Sequence, residues 1–592
     1  MPDALAPTTA AAPPSVLAIT PTAAAMTDPE LNSLPRPAAT LVVVRDSPDG
    51  IEVLLSRRAE RGDHNSGAWV FPGGMVHAGD RSAHACCTGL DDATASARLG
   101  VPEGGLDYVI AAVRECFEES GLLFAHDASG ALVRMSGLSC MSGEAGDAGD
   151  AGAAIGAWRG PLHRDERSMA DLCCEFGLRL ALGGVHYLSH WVTPAARIKR
   201  FDTRFFIAAV PQGQTAAFDG TEMVEQRWLR PADAVAEGSG LKLLTPTRKT
   251  LELISRYASV EALLEWAGSA RSVPLTMPRM ATGSQGTQPV TPDELAYAEI
   301  GRLDPAGAGT ACYDIQPGVA VRLSARVIRV TANNGSVMTG PGTNTYLVGG
   351  GTANEWAVID PGPLDLEHIE AILKAAPGPV RWIFVTHTHR DHSPAAMMLA
   401  ARTGGQVLGA LPDHAQGQDA SFEPDELLAG GERIALPGDT TLHVIHTPGH
   451  ASNHLCYLLE ETRMLFTGDH VMQGSTVVIN PPDGDMRAYF ASLDLLLAED
   501  LAILAPGHGY LIGRPHKEVR RLIAHRLARE AKVIAAMRKL GAATLDELVP
   551  EVYADVPARL HPVAARSLSA HLEKLAAETR ALQESGRWCL RA

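Results

Sequence analysis

Hydrophobic residues occur in short runs separated by Gly, Pro and Asp, a pattern that predicts a chain built from several α/β units. The runs at 40–45 and 51–56 flank the turn sequence SPDG and predict a β-hairpin. Farther along, a helical pattern at 364–376 precedes a strand-like run at 381–387. From 514 onward the periodicity is helical and ends in a short strand-like segment. The pattern predicts two α/β domains followed by a mostly helical module.

Domain boundaries follow from changes in composition along the 592 residues. Residues 1–38 are rich in Ala, Pro and Thr without apolar periodicity, a composition that predicts a disordered tail. Residues 268–310 begin with a stretch of Pro, Thr, Gly and Ser and predict a linker. We therefore expect folded domains at 39–267, 311–515 and 516–592.

Charge and cysteine content narrow the class of protein. The net charge of −17 excludes a uniformly basic nucleic-acid binder. The nine cysteines form no CxxC pair and indicate a reducing compartment. No apolar run reaches the roughly 18 residues that span a bilayer, and the N-terminus lacks the pattern of a signal peptide. We expect a cytoplasmic protein without membrane contact, and the sequence leaves its oligomeric state open.

Metal-binding side chains cluster where one predicted strand ends, in the sequence VTHTHRDHS at 385–393. Imidazoles and carboxylates are the ligands that a zinc-type ion prefers, and a loop after a strand can direct several of them at one point. Three later segments, TPGHASNH, FTGDH and APGHG, each place another such side chain at a Gly-containing turn after an apolar run. The candidate ligands are His387, His389, Asp391, His392, His450, Asp469 and His508.

Together these segments resemble the metallo-β-lactamase superfamily over roughly residues 315–515. The resemblance implies an αββα sandwich with two zinc ions. One ion would be held by His387, His389 and His450, the other by Asp391, His392 and His508, with Asp469 as the bridging ligand. Two ions close together lower the pKa of a shared water and polarise the bond that it attacks, so the implied reaction is hydrolysis. Asp391 would then be essential for catalysis.

The subfamily determines the expected substrate. The segments TGPGTNTYLVGG (339–350) and TPGHASNH (447–454), together with the C-terminal helical segment, resemble the β-lactamase-like protein 2 family, which ends in a small winged-helix-type domain. Known relatives include endoribonucleases that act on single-stranded RNA, so phosphodiester hydrolysis is the leading expectation. The interval of 39 residues between Asp469 and His508 is too short for the β-CASP nucleases. The glyoxalase II branch, with thioester or lactone substrates, is the alternative.

A second group of carboxylates lies in AAVRECFEESGLLF at 111–124. Glu115, Glu118 and Glu119 share one face of a predicted helix, and such clustered carboxylates suit Mg²⁺. An ordinary charged helix face is the alternative. With the preceding GAWVFPGG (67–74), the segment resembles the Nudix box, which implies an α/β/α domain, Mg²⁺ bound by these glutamates, and Glu115 as metal ligand or base.

The Nudix-like pattern is split. Asp80 stands where the pattern has Glu, and Arg114 follows it by 34 residues rather than eight, so about 26 residues are inserted. Such a split resembles the Nudix hydrolase 19 type, whose relatives cleave the diphosphate of coenzyme A. Asp63 occupies a position where that family has Arg, so the coenzyme A signature is only partly present. The alternative is a Nudix module that senses nucleotides or is purely structural.

One strongly basic stretch runs from 514 to 540, with nine Lys and Arg against two Glu. A phosphate-contacting surface beside the metal centre is one interpretation, and a solvated helix face is the other. The candidate substrate-binding residues are Arg520, Arg521, Arg526 and Arg529. The sequence therefore predicts a metal-dependent hydrolase of two modules, whose partner is single-stranded RNA or a small ester or diphosphate.

Overall fold

The predicted hairpin at 40–56 forms the centre of the first domain in a computed structural model that describes residues 34–60, 65–135 and 149–591. Most of the predicted disordered tail, and also Asp63, lie outside these residues. The first domain contains the strands β1 (Arg36–Ser47), β2 (Gly50–Arg58), β3 (Trp69–Val70), β4 (Gly73–Met75), β5 (Cys87–Thr88), β6 (Ala125–His126), β7 (Arg179–Ala181), β8 (His186–Val192), β9 (Phe201–Ala209), β10 (Met223–Leu229) and β11 (Leu275–Thr276). Its helices are α1 (Asp92–Leu99), α2 (Gly105–Ser120), α3 (Gly149–Gly156), α4 (Arg159–His163), α5 (Met169–Phe176), α6 (Pro231–Val235), α7 (Thr245–Ile254) and α8 (Val260–Gly268).

The main sheet of this domain has the order β10-β2-β1-β9-β8-β11, and the short strands β3 and β4 pair with β2 and β1, respectively. Successive side chains of strand β1 point to opposite faces of the sheet, so this strand supplies buried residues to both faces. Leu41 and Val43 pack in one core with α2, whereas Val42 and Val44 pack in a second core with α7 and α8. The sheet is therefore covered by helices on both sides, as the predicted α/β/α architecture requires.

The predicted linker, 268–310, contains regular structure. Besides β11, it includes the hairpin β12 (Arg279–Gly283) and β13 (Gly286–Val290) and the helix α9 (Tyr297–Leu303). Glu299 of α9 is buried in a two-bond ion pair with Arg329, at 2.7 and 2.8 Å. The segment therefore packs against the second domain, although the boundary at 310 stays a prediction.

The second domain is a sandwich of two sheets. Its strands are β14 (Ala320–Arg322), β15 (Val327–Thr331), β16 (Asn344–Gly350), β17 (Glu355–Ile359), β18 (Val380–Phe384), β19 (Gln406–Gly409), β20 (Glu426–Leu427), β21 (Arg433–Leu436), β22 (Thr440–His446), β23 (Leu455–Leu459), β24 (Met464–Gly468) and β25 (Ile503–Pro506). Its helices are α10 (Leu366–Ala375), α11 (Ala396–Thr403) and α12 (Met486–Ala498).

Strands β14–β20 form one sheet in sequence order and β21–β25 form the other. Aromatic pairs join the two sheets, with ring centroids 5.0 Å apart for Tyr346 and Phe466 and 5.2 Å apart for Phe384 and Tyr457. Helices α10 and α11 cover the outer face of the first sheet, and α12 covers that of the second. The predicted αββα sandwich is confirmed.

The C-terminal module comprises α13 (Pro515–Leu540), α14 (Leu545–Val552), α15 (His561–Ala577) and the hairpin β26 (Ala581–Glu584) and β27 (Arg587–Leu590). Three helices followed by a two-stranded wing are the expected winged-helix arrangement, and they enclose a small core of their own. Within the described residues, no helix combines the length and the apolar character needed to cross a bilayer.

Candidate metal centre

All seven candidate ligands lie at one edge of the sandwich, because each follows a buried strand that ends there. The loop after β18 carries four of them, the loop between β22 and β23 carries His450, and Asp469 and His508 directly follow β24 and β25. Their ligand atoms form two groups, each lying within 4.8 Å: the first is His387, His389 and His450, and the second is Asp391, His392, Asp469 and His508. The structure thus brings together the residues that the sequence pattern singled out.

Asp469 lies between the two groups. Its Oδ1 atom is 3.4 Å from Nε2 of His392 and 3.2 Å from Nε2 of His508, whereas its Oδ2 atom is 3.7 Å from Nε2 of His450. Asp391 faces the second group only, 3.4 Å from His508. One carboxylate can therefore contact two ions at once, and the other can contact one.

Hydrogen bonds fix which nitrogen of four histidines faces the centre. The Nδ1 atom of His392 donates to Asp360 at 2.8 Å, that of His450 to the Val478 carbonyl at 2.8 Å, and that of His508 to the Gly342 carbonyl at 3.1 Å. Thr386 donates its hydroxyl to Asp360 and accepts from Nδ1 of His387. The Nε2 atom of each of the four is thereby the nitrogen directed at the other ligands, and in a neutral imidazole it is the one that can bind a metal.

The donor set fits two divalent cations. Within the described chain, the buried Nε2 atoms of His387 and His392 and Oδ1 of Asp469 lack a hydrogen-bond partner, although an unpaired buried polar atom is costly. Burial lowers the pKa of His387 and His450, and it lowers the pKa of His389 to about 3, so these imidazoles stay neutral and able to bind metal. Burial also opposes protonation of His508, but Asp469 and Asp391 outweigh it and raise its pKa to about 9. A cation in the second group would replace that proton.

Two supporting residues escaped the sequence analysis. Asp360 is buried behind the ligands and also accepts from the Thr386 backbone at 2.7 Å, so it holds the ligand-bearing loop and His392 together. His454 is fully buried, stacks on His387 and accepts from the Asp469 backbone at 3.2 Å. The available signals were an Asp directly after strand β17 for the first residue and a second His in the segment TPGHASNH for the other.

The ligands open into a cavity of about 570 Å³, which we call the metal cavity. Its remaining wall comes from the loop with Val337 and Met338, from the segment at 475–483 and from α13 and α15 of the C-terminal module. Val337 is 88% exposed, so an apolar side chain stands at the mouth of the cavity. The size suits a small molecule, since ligand pockets commonly span about 300–1,000 Å³.

The four candidate substrate-binding arginines of α13 have different surroundings. Arg526 and Arg529 are buried and line the metal cavity. Arg529 is paired with Asp555 at 2.8 Å, and Arg521 is paired with Glu518 at 2.6 Å. Arg520 is exposed. The basic run therefore does not form one continuous exposed surface.

The two parts of the split carboxylate motif lie next to each other in the folded domain. The Nε atom of Arg114 donates to Asp80 at 2.8 Å, and its NH1 atom donates to Glu115 at 2.9 Å and to Glu118 at 3.1 Å. The backbone N–H of Gly73 donates to Glu119 at 3.1 Å. A side chain at Gly74 would collide with the Glu115 carboxylate, since an added Cβ would lie 2.4 Å from its Oε1 atom. The turn after β3 thus fits tightly over the helix that carries the glutamates.

The carboxylates of α2 repel one another inside the protein. Burial and the neighbouring Glu115 raise the pKa of Glu118 to about 8, with Arg114 opposing them, and burial raises the pKa of Glu119 well above its usual range. Burial also raises the pKa of Glu115. One arginine does not compensate three buried acids, but the carboxylate oxygens of these glutamates do not form a group close enough to share an ion: among the described residues, the two such groups are those of the metal centre.

Comparison with known families gives three matches along the chain. Residues 338–508 match the metallo-beta-lactamase superfamily, residues 544–588 match the beta-lactamase associated winged helix domain, and residues 91–246 match the NUDT19 Nudix domain. The three matches fall on the second domain, the C-terminal module and the first domain, respectively.

Curated relatives align with between 40% and 46% of this chain. The atrochrysone carboxyl ACP thioesterase of Aspergillus chevalieri is 33% identical over 40% of this chain and 76% of its own length. Lactamase-like protein aptB of Emericella nidulans is 30% identical over 46% of this chain and 90% of its own length. The beta-lactamase-like protein 2 homolog of Caenorhabditis elegans is 29% identical over 43% of this chain and 85% of its own length.

Proposed function

This chain belongs to the metallo-beta-lactamase superfamily and joins that domain to a Nudix domain, and on this premise we propose that its metal centre hydrolyses small acyl thioesters or esters. The protein is a metal-dependent hydrolase with a winged-helix module, as the sequence resemblances predicted. The observation that carries the proposal is the metal cavity, which is lined by five of the candidate ligands and by apolar side chains.

The proposed centre is a pair of zinc ions, because its ligands are imidazoles and carboxylates. When bound, two such ions activate a shared water and polarise the bond under attack. Asp469 would hold both ions, and Asp391 would complete the second site and orient the water. Asp360 and His454 keep the ligands aligned from behind, through the hydrogen bonds to His392 and to the Asp469 backbone.

Three features support an acyl substrate. The cavity is of small-molecule size, and Val337, Met338 and Val563 give it apolar walls. Two of the four arginines proposed for phosphate contact are committed to internal carboxylates. A relative with one third identity is named a thioesterase. Hydrolysis of single-stranded RNA is the second candidate, favoured by Arg526 and Arg529, whose side chains reach the metal cavity.

For the first domain, we propose Mg²⁺-dependent cleavage of a diphosphate conjugate. The rejoined set of Asp80, Arg114 and the three glutamates of α2 supports this proposal. Glu118 and Glu119 would bind the ion, and Glu115 would act as a further ligand or as the base. A nucleotide-sensing or structural role remains the competing hypothesis for this module, and a Mg²⁺-dependent turnover separates the two.

A substrate panel tests both modules. The zinc-loaded and Mg²⁺-supplemented protein is given acyl thioesters, lactones, single-stranded RNA and diphosphate conjugates including coenzyme A. We expect thioester or ester turnover that is lost in Asp391→Ala, with the fold retained, because Asp391 is a partly exposed ligand and not a core side chain. The matched control is Asp413→Ala, an exposed acid outside both ligand groups. RNA cleavage without ester turnover would contradict the acyl proposal.

A further inference from the structure

Arg526 of α13 is a buried cation in the wall of the metal cavity. Its side chain is 3% exposed, donates from one terminal nitrogen to the Val477 carbonyl, and lies over the Tyr489 ring with 5.5 Å from Cζ to the centroid. Its Nε atom has no hydrogen-bond partner in the part of the chain that the structure describes. A guanidinium carries five N–H groups, so the bond to Val477 does not use all the donors of Arg526, which lines the metal cavity.

Among the described residues, each of the other buried arginines has a carboxylate partner. Arg114 pairs with Asp80, Arg329 with Glu299, Arg529 with Asp555 and, at 3.4 Å, Arg204 with Asp202. For Arg526, no carboxylate oxygen lies within 4 Å among the described residues. Apart from the candidate metal ligands, the acid that lines the cavity among the described residues is Asp483, which accepts from Ser452 at 2.6 Å and from Gln418 at 2.8 Å.

A buried charge without a counter-ion is unfavourable unless a ligand supplies the opposite charge. Arg526 shares its cavity with five metal ligands, so a molecule at the metal centre also reaches the arginine wall. Val477 and Val563 line the same space, and Ala564 lies beside them on α15. The cavity therefore joins a hydrolytic centre, an apolar surface and one uncompensated cation.

We propose that Arg526 is a specificity residue that binds an anionic group on the acyl portion of the substrate, so that the preferred substrates are apolar thioesters or esters carrying a second, negatively charged end. This inference rests on the acyl hydrolysis proposed above. The planar guanidinium fork matches two oxygens of a carboxylate or a phosphate. The C-terminal module would then select the substrate as well as cover the cavity.

A matched ester series tests the proposal. The zinc-loaded protein is assayed with p-nitrophenyl octanoate, with the same ester carrying a terminal carboxylate, and with its terminal phosphate counterpart. We expect a preference in kcat/KM of on the order of 10- to 100-fold for the charged esters, because hydrogen bonds to charged groups are the strong ones. The two charged esters distinguish a carboxylate from a phosphate as the group that Arg526 binds.

In Arg526→Gln the preference for the charged esters should fall at least tenfold, and Arg526→Lys should recover part of it. Arg538→Gln, an exposed position on the same helix, should keep the wild-type preference. Because Arg526 is buried, Ala564→Glu serves as a second variant that adds a repelling carboxylate to the lining of the metal cavity and should also lower the preference. Metal content and thermal midpoint are measured for each variant, since a purely structural role would reduce turnover of all three esters equally.

Binding of the non-hydrolysable amide analogues, measured by calorimetry, separates this inference from the proposed function. Tighter binding of the charged amides that is lost in Arg526→Gln supports the anion site even where no ester is turned over, and in that case only the proposed acyl hydrolysis fails. Equal binding of charged and neutral amides, or a preference that Arg526→Gln leaves unchanged, overturns the inference.

Discussion

Asp80 and Arg114 form a buried ion pair in which Nε of the arginine donates to the carboxylate at 2.8 Å, with side-chain exposures of 1% and 5%. Asp80 lies in a 3-10 helix (Ala78–Cys86), and β5, α1 and the first part of α2 follow before Arg114. The insertion that splits the Nudix-like pattern in sequence therefore leaves its charged core intact. The same arginine also contacts Glu115 and Glu118. By holding the Arg114 side chain in place, Asp80 therefore helps to position these two glutamates of α2.

Replacing Asp80 by Asn should lower the free energy of unfolding by about 3 kcal/mol, because breaking a buried pair leaves a charge without its partner. Asp80→Glu, which restores the residue of the Nudix pattern, should lower the free energy of unfolding by a smaller amount. Chemical denaturation followed through the first domain measures the difference. Glu103→Gln, which removes an exposed ion pair with Arg81, should leave stability nearly unchanged. Equal stability of Asp80→Asn and the wild type would contradict the structural role assigned to this pair.

The metal ligands could be predicted from sequence because each one follows a buried strand, in three of the four segments at a Gly-containing turn. His387, His450 and His508 stand in short local segments, and the residue type alone suggested their chemistry. The αββα fold followed from the same resemblance. Local patterning is sufficient where the ligands are fixed by strand ends.

The partners of these residues could not be predicted in the same way. Asp360 acts on His392 from 32 residues away, and only the parallel pairing of β17 with β18 brings them together. For α13, counting charges predicted a basic surface, whereas Arg529 is turned inward to Asp555 and Arg526 into the metal cavity. Which face of a long helix is buried depends on the domains packed around it, and charge counting does not contain that information.

The double substitution of Glu118 and Glu119 by Gln should abolish Mg²⁺-dependent diphosphate cleavage and leave zinc-dependent hydrolysis intact. Gln keeps the shape of each side chain and removes the charge that attracts the cation. Both activities are measured on the same preparation, so the second domain is the internal control. Retained diphosphatase activity in the double variant would contradict the assignment of these glutamates, and a wild type without such activity would favour the structural-module hypothesis.

Asp360→Asn should weaken metal binding by roughly 10- to 100-fold, the usual cost of removing a carboxylate behind a metal-bound histidine. The carboxylate accepts from Nδ1 of His392 and from two donors of Thr386, and an amide cannot accept all three bonds. Competition with a chromogenic chelator measures the affinity. Asp365→Asn, at the N-terminus of α10, preserves a capping residue and should bind metal like the wild type. An unchanged metal affinity in Asp360→Asn would show that Asp360 does not support metal binding.

The two metal sites should respond differently to pH. Burial keeps the pKa of His389 at about 3, so the first group is already deprotonated near neutrality. Asp469 and Asp391 outweigh burial and raise the pKa of His508 to about 9, so a cation entering the second group must displace a proton. Below pH 9 the affinity of the second site should therefore rise about tenfold per pH unit for each proton displaced, and acidification should empty it first. Chelator competition at pH 6, 7 and 8 measures the two metal affinities. We expect the affinity of one site to depend on pH and that of the other to be nearly constant.

The exposed part of α13 should make only a weak contribution to RNA binding. Each phosphate neutralised on a single strand adds about −0.7 to the slope of log affinity against log salt concentration, so four arginines contacting phosphate would give a slope near −3. Arg521 and Arg529 are already paired with Glu518 and Asp555. Fewer arginines are therefore available to bind phosphate and displace counter-ions from the RNA. We therefore expect a slope shallower than −3 for a single-stranded oligonucleotide, and little change in Arg520→Gln, because one exposed cation contributes at most one phosphate contact. Fluorescence anisotropy between about 50 and 200 mM salt, the range in which such binding weakens strongly, measures the slope. A slope of −3 or steeper would show that the arginines leave their internal partners to bind phosphate, and the phosphodiester candidate would then take precedence over acyl hydrolysis.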